Sequence, residues 1–192
     1  TSPAAVVNPL EVETFTGSIG LPISSTEIRI CDDNGNDIEL GKPGEICIRG
    51  PQVMVGYWNN PEETKKVMFD DGWFRTGDIG RMDEKGFVFI EDRKKDMIIV
   101  SGFNVFPNEI EGVVANMEGI LETAAIGMPS EKSGEAIKLF VVRNNESITE
   151  EDIINYCRKN LTPYKIPKKI VFKQELPKTN VGKILRRALR DS

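Results

Sequence analysis

The chain has 192 residues, enough for one large domain or two small ones, and its 39% hydrophobic and 29% charged side chains are ordinary for a soluble globular protein that buries a core. It has no histidine, which excludes His-based triads, His metal ligands and His general bases within these residues. It also has no apolar run near the roughly eighteen residues of a membrane helix, Met97-Ile98-Ile99-Val100 being typical of the longest. The net charge of −5 is uneven: residues 1–92 carry 8 basic and 17 acidic side chains, residues 93–192 carry 17 and 13, and the sign changes at Arg93. That points to two units, the second suited to anionic ligands; uneven surface charge with no ligand behind it is the equal alternative.

Thr1 to Leu10 lacks the basic start and apolar stretch of a signal peptide, and residues 1–15 read as an extended lead-in. Thr26 to Cys31 alternates polar and apolar, the pattern of a half-buried strand, and Glu45 to Arg49 alternates again. Turn signals lie at Asp32-Asp33-Asn34-Gly35-Asn36 and at Gly41-Lys42-Pro43-Gly44. Pro61 to Phe69 predicts a short helix, with Asn60 as its cap, Pro61 in the first turn, and Glu62 and Glu63 at the positive end of the dipole. Trp73 to Arg81 and Phe87 to Asp92 read as strands joined by an Asp83-Glu84-Lys85-Gly86 turn. This first part is thus mostly antiparallel β, like a small distorted barrel.

After Lys95 the pattern changes. Asp96 to Val100 and Gly102 to Val105 predict a short hairpin, and Pro107 to Met117 places Ile110, Val113, Val114 and Met117 at helical spacing. Gly119 to Met128 and Ala136 to Val142 read as strands. A helix should start at Thr149 and run to about Asn160, with Asp152 reaching back as in a capping box and Ile148 stapled onto Ile153. Lys169 to Phe172 is a strand, and Gly182 to Arg190 a closing helix, basic toward its C-terminal end. The expected fold class is α+β: a β-rich, barrel-like subdomain followed by a small α+β domain. Cys31, Cys47 and Cys157 lie far apart, show no metal spacing and cannot all pair, which fits a reducing compartment.

Chemistry concentrates at four places. In Thr76-Gly77-Asp78 the glycine lets backbone approach a ligand, and the carboxylate beside it can accept two hydrogen bonds from ribose hydroxyls; a turn-capping Asp is the plain alternative. Arg93 offers a planar fork of donors, though flanked by Lys94 and Lys95 it also reads as a surface Arg. Asp96 to Glu111 is a buried strand, a glycine turn at Ser101-Gly102 and a Pro-opened helix. Pro177 to Arg187 presents Lys183 near a helix start. Lys178, Lys183, Arg186, Arg187 and Arg190 would also suit nucleic acid, but this half is only mildly basic and no aromatic platform interleaves the charges.

Together the run from Asp71 to Lys95, the Asp96–Glu111 stretch and the Pro177–Arg187 loop resemble fatty acyl-CoA ligases of the adenylate-forming (AMP-binding) superfamily, a likeness that runs over essentially the whole chain. The resemblance implies roles residue by residue. Asp78 and Arg93 would bind ATP and AMP, Lys95 would be the hinge, Ser101 and Gly102 would face CoA, and Lys183 would be the catalytic lysine. It implies residues 1–93 as the C-terminal β-rich part of a large AMP-binding domain and residues 94–192 as a mobile small domain. Implied partners are a fatty acid, ATP and CoA, with Mg²⁺ ligands outside this chain, no metal ligand within it and no nucleic acid. The implied location is cytoplasmic, with room for peripheral association at the inner membrane. Arg75 stands where many such ligases have His. The Gly/Ser/Thr-rich phosphate loop of the family is not found here, so the chain is expected to be the C-terminal portion of a longer enzyme and inactive in adenylation alone. Fatty acid-dependent ATP–pyrophosphate exchange by the isolated chain would sink that expectation. The alternatives are another adenylating enzyme, such as an aryl-CoA ligase, a luciferase-like oxygenase or an acyl-AMP ligase, and a docking module without catalysis.

Overall fold

A computed structural model describes residues 1–190, which fall into two compact units, Thr1–Lys95 and a second that begins at Asp96. In the first, β1 (Val6–Val7) pairs with β2 (Leu21–Pro22), and a separate antiparallel sheet holds β3 (Glu27–Cys31), β4 (Gly44–Arg49), β5 (Phe74–Met82) and β6 (Val88–Arg93) in that order. The sheet is open, which corrects the barrel expectation. β6 does not pair back to β3; at its first residue the Val88 amide donates to the Gly20 carbonyl and the Val88 carbonyl accepts the Ile19 amide. Helix α1 (Pro61–Val67) starts as its sequence dictates, with the Asn60 side chain accepting from the Glu63 amide at 3.2 Å.

The half-buried reading of β3 and β4 also needs correction. Ile30 and Ile46 face one cluster with Val88, while Cys31 and Cys47 face another with Trp73 and Phe69, so both sides of these strands are covered. Arg29 lies over Trp73 at 4.4 Å and screens that second side from water. All three cysteines are free and buried; burial, reinforced by the neighbouring Cys31, pushes the Cys47 thiol up to about 12.

The second unit packs helices on a sheet. Its strands are β7 (Ile98–Val100), β8 (Phe103–Val105), β9 (Ile120–Ser130), β10 (Gly134–Arg143) and β11 (Lys169–Phe172), ordered β11-β10-β7-β8 with β9 also on β10. One face of β10, through Ile137, Leu139 and Val141, packs against Ile110 and Val114 of α2 (Pro107–Ala115) and against Ile153 and Cys157 of α3 (Glu150–Asn160). The opposite face, Phe140 and Val142, is covered by Leu176 and by Leu189 of the short α4 (Arg186–Arg190). Helix α3 carries the expected capping box, with Thr149 and Asp152 each holding the other's backbone amide. The closing helix is shorter than its composition suggests. Gly182 has φ +79°, and the Thr179 amide donates to the Lys183 carbonyl at 2.8 Å, so residues 177–185 form a tight loop and the helix begins only at Arg186.

Candidate functional site

The residues flagged in the first unit converge. Asp78 on β5 and Arg93 at the end of β6 are register partners, with Arg93 Nε 3.5 Å from Asp78 Oδ1. They line an open cleft of about 670 Å³ with Thr1, Ile48, Phe74, Thr76, Gly77, Lys94 and Lys95. Phe74 and Ile48 give it an apolar wall; Asp78 and Arg93 give it an acceptor and a donor fork. Arg93 is the last residue of its strand rather than a residue beyond it, and a 3₁₀ turn, Lys94–Asp96, follows at once.

Local chemistry explains how Asp78 is held. Thr76 Oγ1 donates to the Ile46 carbonyl at 2.8 Å and accepts the Asp78 amide at 3.0 Å. Gly77 takes φ +75°, a conformation glycine adopts without strain, and its amide donates to Glu45 Oε1 at 3.1 Å. A Cβ at Gly77 would meet nothing within 4 Å, which leaves the backbone open to the cleft.

Sequence reasoning missed Glu45. Alternation made it the polar side of a half-buried strand, yet its side chain is 5% exposed. It accepts Arg75 Nη2 at 2.7 Å, Lys94 Nζ at 2.9 Å and the Gly77 amide. Burial alone would raise its carboxyl; the hydrogen bonds from Arg75 and Lys94 outweigh that and hold it below the ordinary 4.5. The one signal in the sequence was the triplet Gly44-Glu45-Ile46, a carboxylate opening a strand directly after a turn. Lys94, read as a plain basic flank of Arg93, also bridges to Asp33 at 2.6 Å.

The other flagged residues lie on the second unit. Ser101 (φ +51°) and Gly102 (φ +82°) are the two-residue turn of the β7–β8 hairpin, both left-handed as a type I′ turn requires. Both are exposed, and the Ser101 amide donates to the Ser133 carbonyl at 2.8 Å. A Cβ at Gly102 would meet nothing within 4 Å, so turn geometry, rather than crowding, requires the glycine within this unit. Lys183 is exposed on the 177–185 loop, its amide donating to Thr179 Oγ1 at 3.2 Å. Among the described residues no group of three His, Cys, Asp or Glu side chains could hold a metal ion.

The fold is that of the adenylate-forming enzymes. Residues 1–58 match the family model for AMP-binding enzymes, and residues 109–183 that for the AMP-binding enzyme C-terminal domain; the chain belongs to this family. Within it, the long-chain-fatty-acid–CoA ligase of Yersinia pestis is 60% identical over 190 residues, which are 99% of this chain and 34% of that protein. ATP-bound MatB from Rhodopseudomonas palustris superposes with a TM-score of 0.90 at 38% identity, covering 96% of this chain and 37% of that one. The o-succinylbenzoate CoA synthetase of Bacillus subtilis, in complex with its acyl-adenylate, gives 0.88 at 33% identity, covering 99% and 39%. The chain therefore spans about a third of the length of its curated relatives (34% for the Yersinia enzyme).

Proposed function

We propose that this chain is the C-terminal part of a long-chain fatty acid–CoA ligase, which activates a fatty acid with ATP to acyl-AMP and passes the acyl group to CoA. Residues 1–93 would close the large nucleotide-binding domain, and residues 94–192 would form the small mobile domain. The observation that carries the reading is the Asp78–Arg93 pair across β5 and β6, beside the open backbone of Gly77. The 60% identity to a ligase of that name supports the choice of acid.

In this reading the Asp78 carboxylate accepts hydrogen bonds from both ribose hydroxyls, and Arg93 donates to the ribose and its phosphate. Lys183 is carried to the point where the fatty carboxylate attacks the α-phosphorus. There negative charge gathers between two anions, and a cation aimed at it lowers the barrier. Ser101 and Gly102 later face the thiol, and the pivot at Lys95 exchanges the two arrangements. Magnesium would accompany ATP, held by ligands outside this chain. The reading places the enzyme in the cytoplasm, in peripheral contact with the inner membrane where fatty acids partition; co-sedimentation of the full-length protein with vesicles checks that placement. No helix among the described residues is long and apolar enough to cross a membrane.

The decisive experiment is Lys183→Ala in the full-length enzyme. Fatty acid-dependent ATP–pyrophosphate exchange should fall by about a hundredfold or more, the scale of losing one preorganised charge at a transition state. Unchanged exchange would instead favour the docking-module alternative. The structural likeness to a synthetase for o-succinylbenzoate favours a second reading, in which the acid is not a fatty acid. Acid- and CoA-dependence of the full-length enzyme separates the two.

A further inference from the structure

Two sets of ion pairs flank Lys95, one in each unit. Before it, Lys94 donates to Glu45 at 2.9 Å and pairs with Asp33 at 2.6 Å. Asp33 is largely solvated and adds little, so the buried Glu45 is the main anchor. Glu45 is itself fixed by Arg75 and by the Gly77 amide of the Asp78 turn. After Lys95, Asp96 has a side chain only 10% exposed and pairs with Arg190 at 2.7 Å and Arg186 at 3.5 Å. Arg186 reaches on to Glu111 of α2 at 2.8 Å and to Asn108 at 2.7 Å. Both arginines belong to α4, the helix that directly follows the Lys183 loop, and Leu185 ties that loop's ends together through its amide on the Pro177 carbonyl.

We propose that Lys94 and Asp96 are positioning residues that confine the pivot to Lys95 and deliver its rotation to Lys183. Lys94 clamps the incoming chain to the sheet that carries Asp78. Asp96 clamps the outgoing chain to α4, so that whatever turns at Lys95 turns the Lys183 loop with it. A buried carboxylate shared by two guanidinium groups resists being pulled apart, because separation leaves charge without partners. The Ser101–Gly102 turn is held differently, by the β7–β8 register and the Ser133 carbonyl, without using Asp96 or α4. The inference rests on the ligase reading and on Lys95 as its hinge.

The test separates the two half-reactions of the full-length enzyme: fatty acid-dependent ATP–pyrophosphate exchange, and CoA transfer from supplied acyl-adenylate. Asp96→Asn keeps the shape and removes both ion pairs. At saturating ATP, exchange should slow about tenfold, the scale of one charged hydrogen bond, while CoA transfer is nearly unchanged. Retained CoA transfer also shows that the variant is folded. Arg190→Gln, at the exposed rim, is the second variant if Asp96→Asn does not fold; it should move in the same direction by a smaller factor, and Arg190→Lys should restore part of it. Lys94→Met should lower both half-reactions alike, because it anchors the end common to both. Equal loss of the two half-reactions in folded Arg190→Gln, or no loss in either, overturns the clamp. Lys95→Pro tests the hinge itself by fixing φ. If it leaves both half-reactions intact, the hinge reading falls; if it separates them while Arg190→Gln does not, only the clamps fall.

Discussion

Gly77 and Gly80 stand three residues apart on β5 and are required for different reasons. Gly77 has φ +75° with open space around it, so an alanine there meets only backbone strain. Gly80 has an ordinary backbone, but a Cβ would lie 2.3 Å from the Phe89 carbonyl oxygen and against Ile46. Gly77→Ala should cost about 1 kcal/mol, and Gly80→Ala more, because a main-chain atom cannot swing aside. Denaturant unfolding of the two variants checks the order; equal losses would contradict it. At this scale a sequence shows that a glycine is present but not which of the two constraints it answers. The same limit hid Glu45. A charged residue in an alternating strand reads as solvated, and only the approach of Arg75, Lys94 and the Gly77 amide makes its burial tolerable.

Elements whose ends are set by their own residues were legible; those set by neighbours were not. Helix α3 begins at its Thr149–Asp152 box and runs to Asn160, as local capping chemistry demands. Thr149→Ala should therefore cost about 1 kcal/mol, read as a lower melting temperature. Helix α4 shows the opposite case. Its five residues are too short to be stable alone, and Leu189, 2% exposed in the cluster with Phe140 and Leu176, holds it in place. Leu189→Ala should cost about 2–5 kcal/mol and selectively expose amides after Pro177 to hydrogen exchange. Protection unchanged there would show that α4 is held by its arginines rather than by its core contact. The barrel expectation met a similar limit: strand count and turns were visible, but whether β6 would pair back to β3 was not.

Across the molecule, the first unit is acidic but keeps one carboxylate at the centre of a basic cluster, and this has a pH consequence. The folded pKa of Glu45 lies below its ordinary 4.5. Its contribution to stability is thus fully present above about pH 4.5 and is lost as pH falls through the depressed folded value. Unfolding of the first unit should become easier on acidification below that point, and Glu45→Gln should flatten the change while lowering stability at neutral pH. An unchanged pH profile in Glu45→Gln would remove Glu45 as its source. The sequence by itself determined the α+β class, the capped helices, the strand β11 and the family, because each rests on residues adjacent in the chain or on a run long enough to compare. Only the tertiary structure decided that β3 and β4 are covered on both sides, that Asp78 and Arg93 meet across one cleft, and that Lys94 and Asp96 answer to Glu45 and Arg190, 49 and 94 positions away. Burial and ion pairing depend on which distant segments arrive at the same place, and periodicity along one chain carries no record of that.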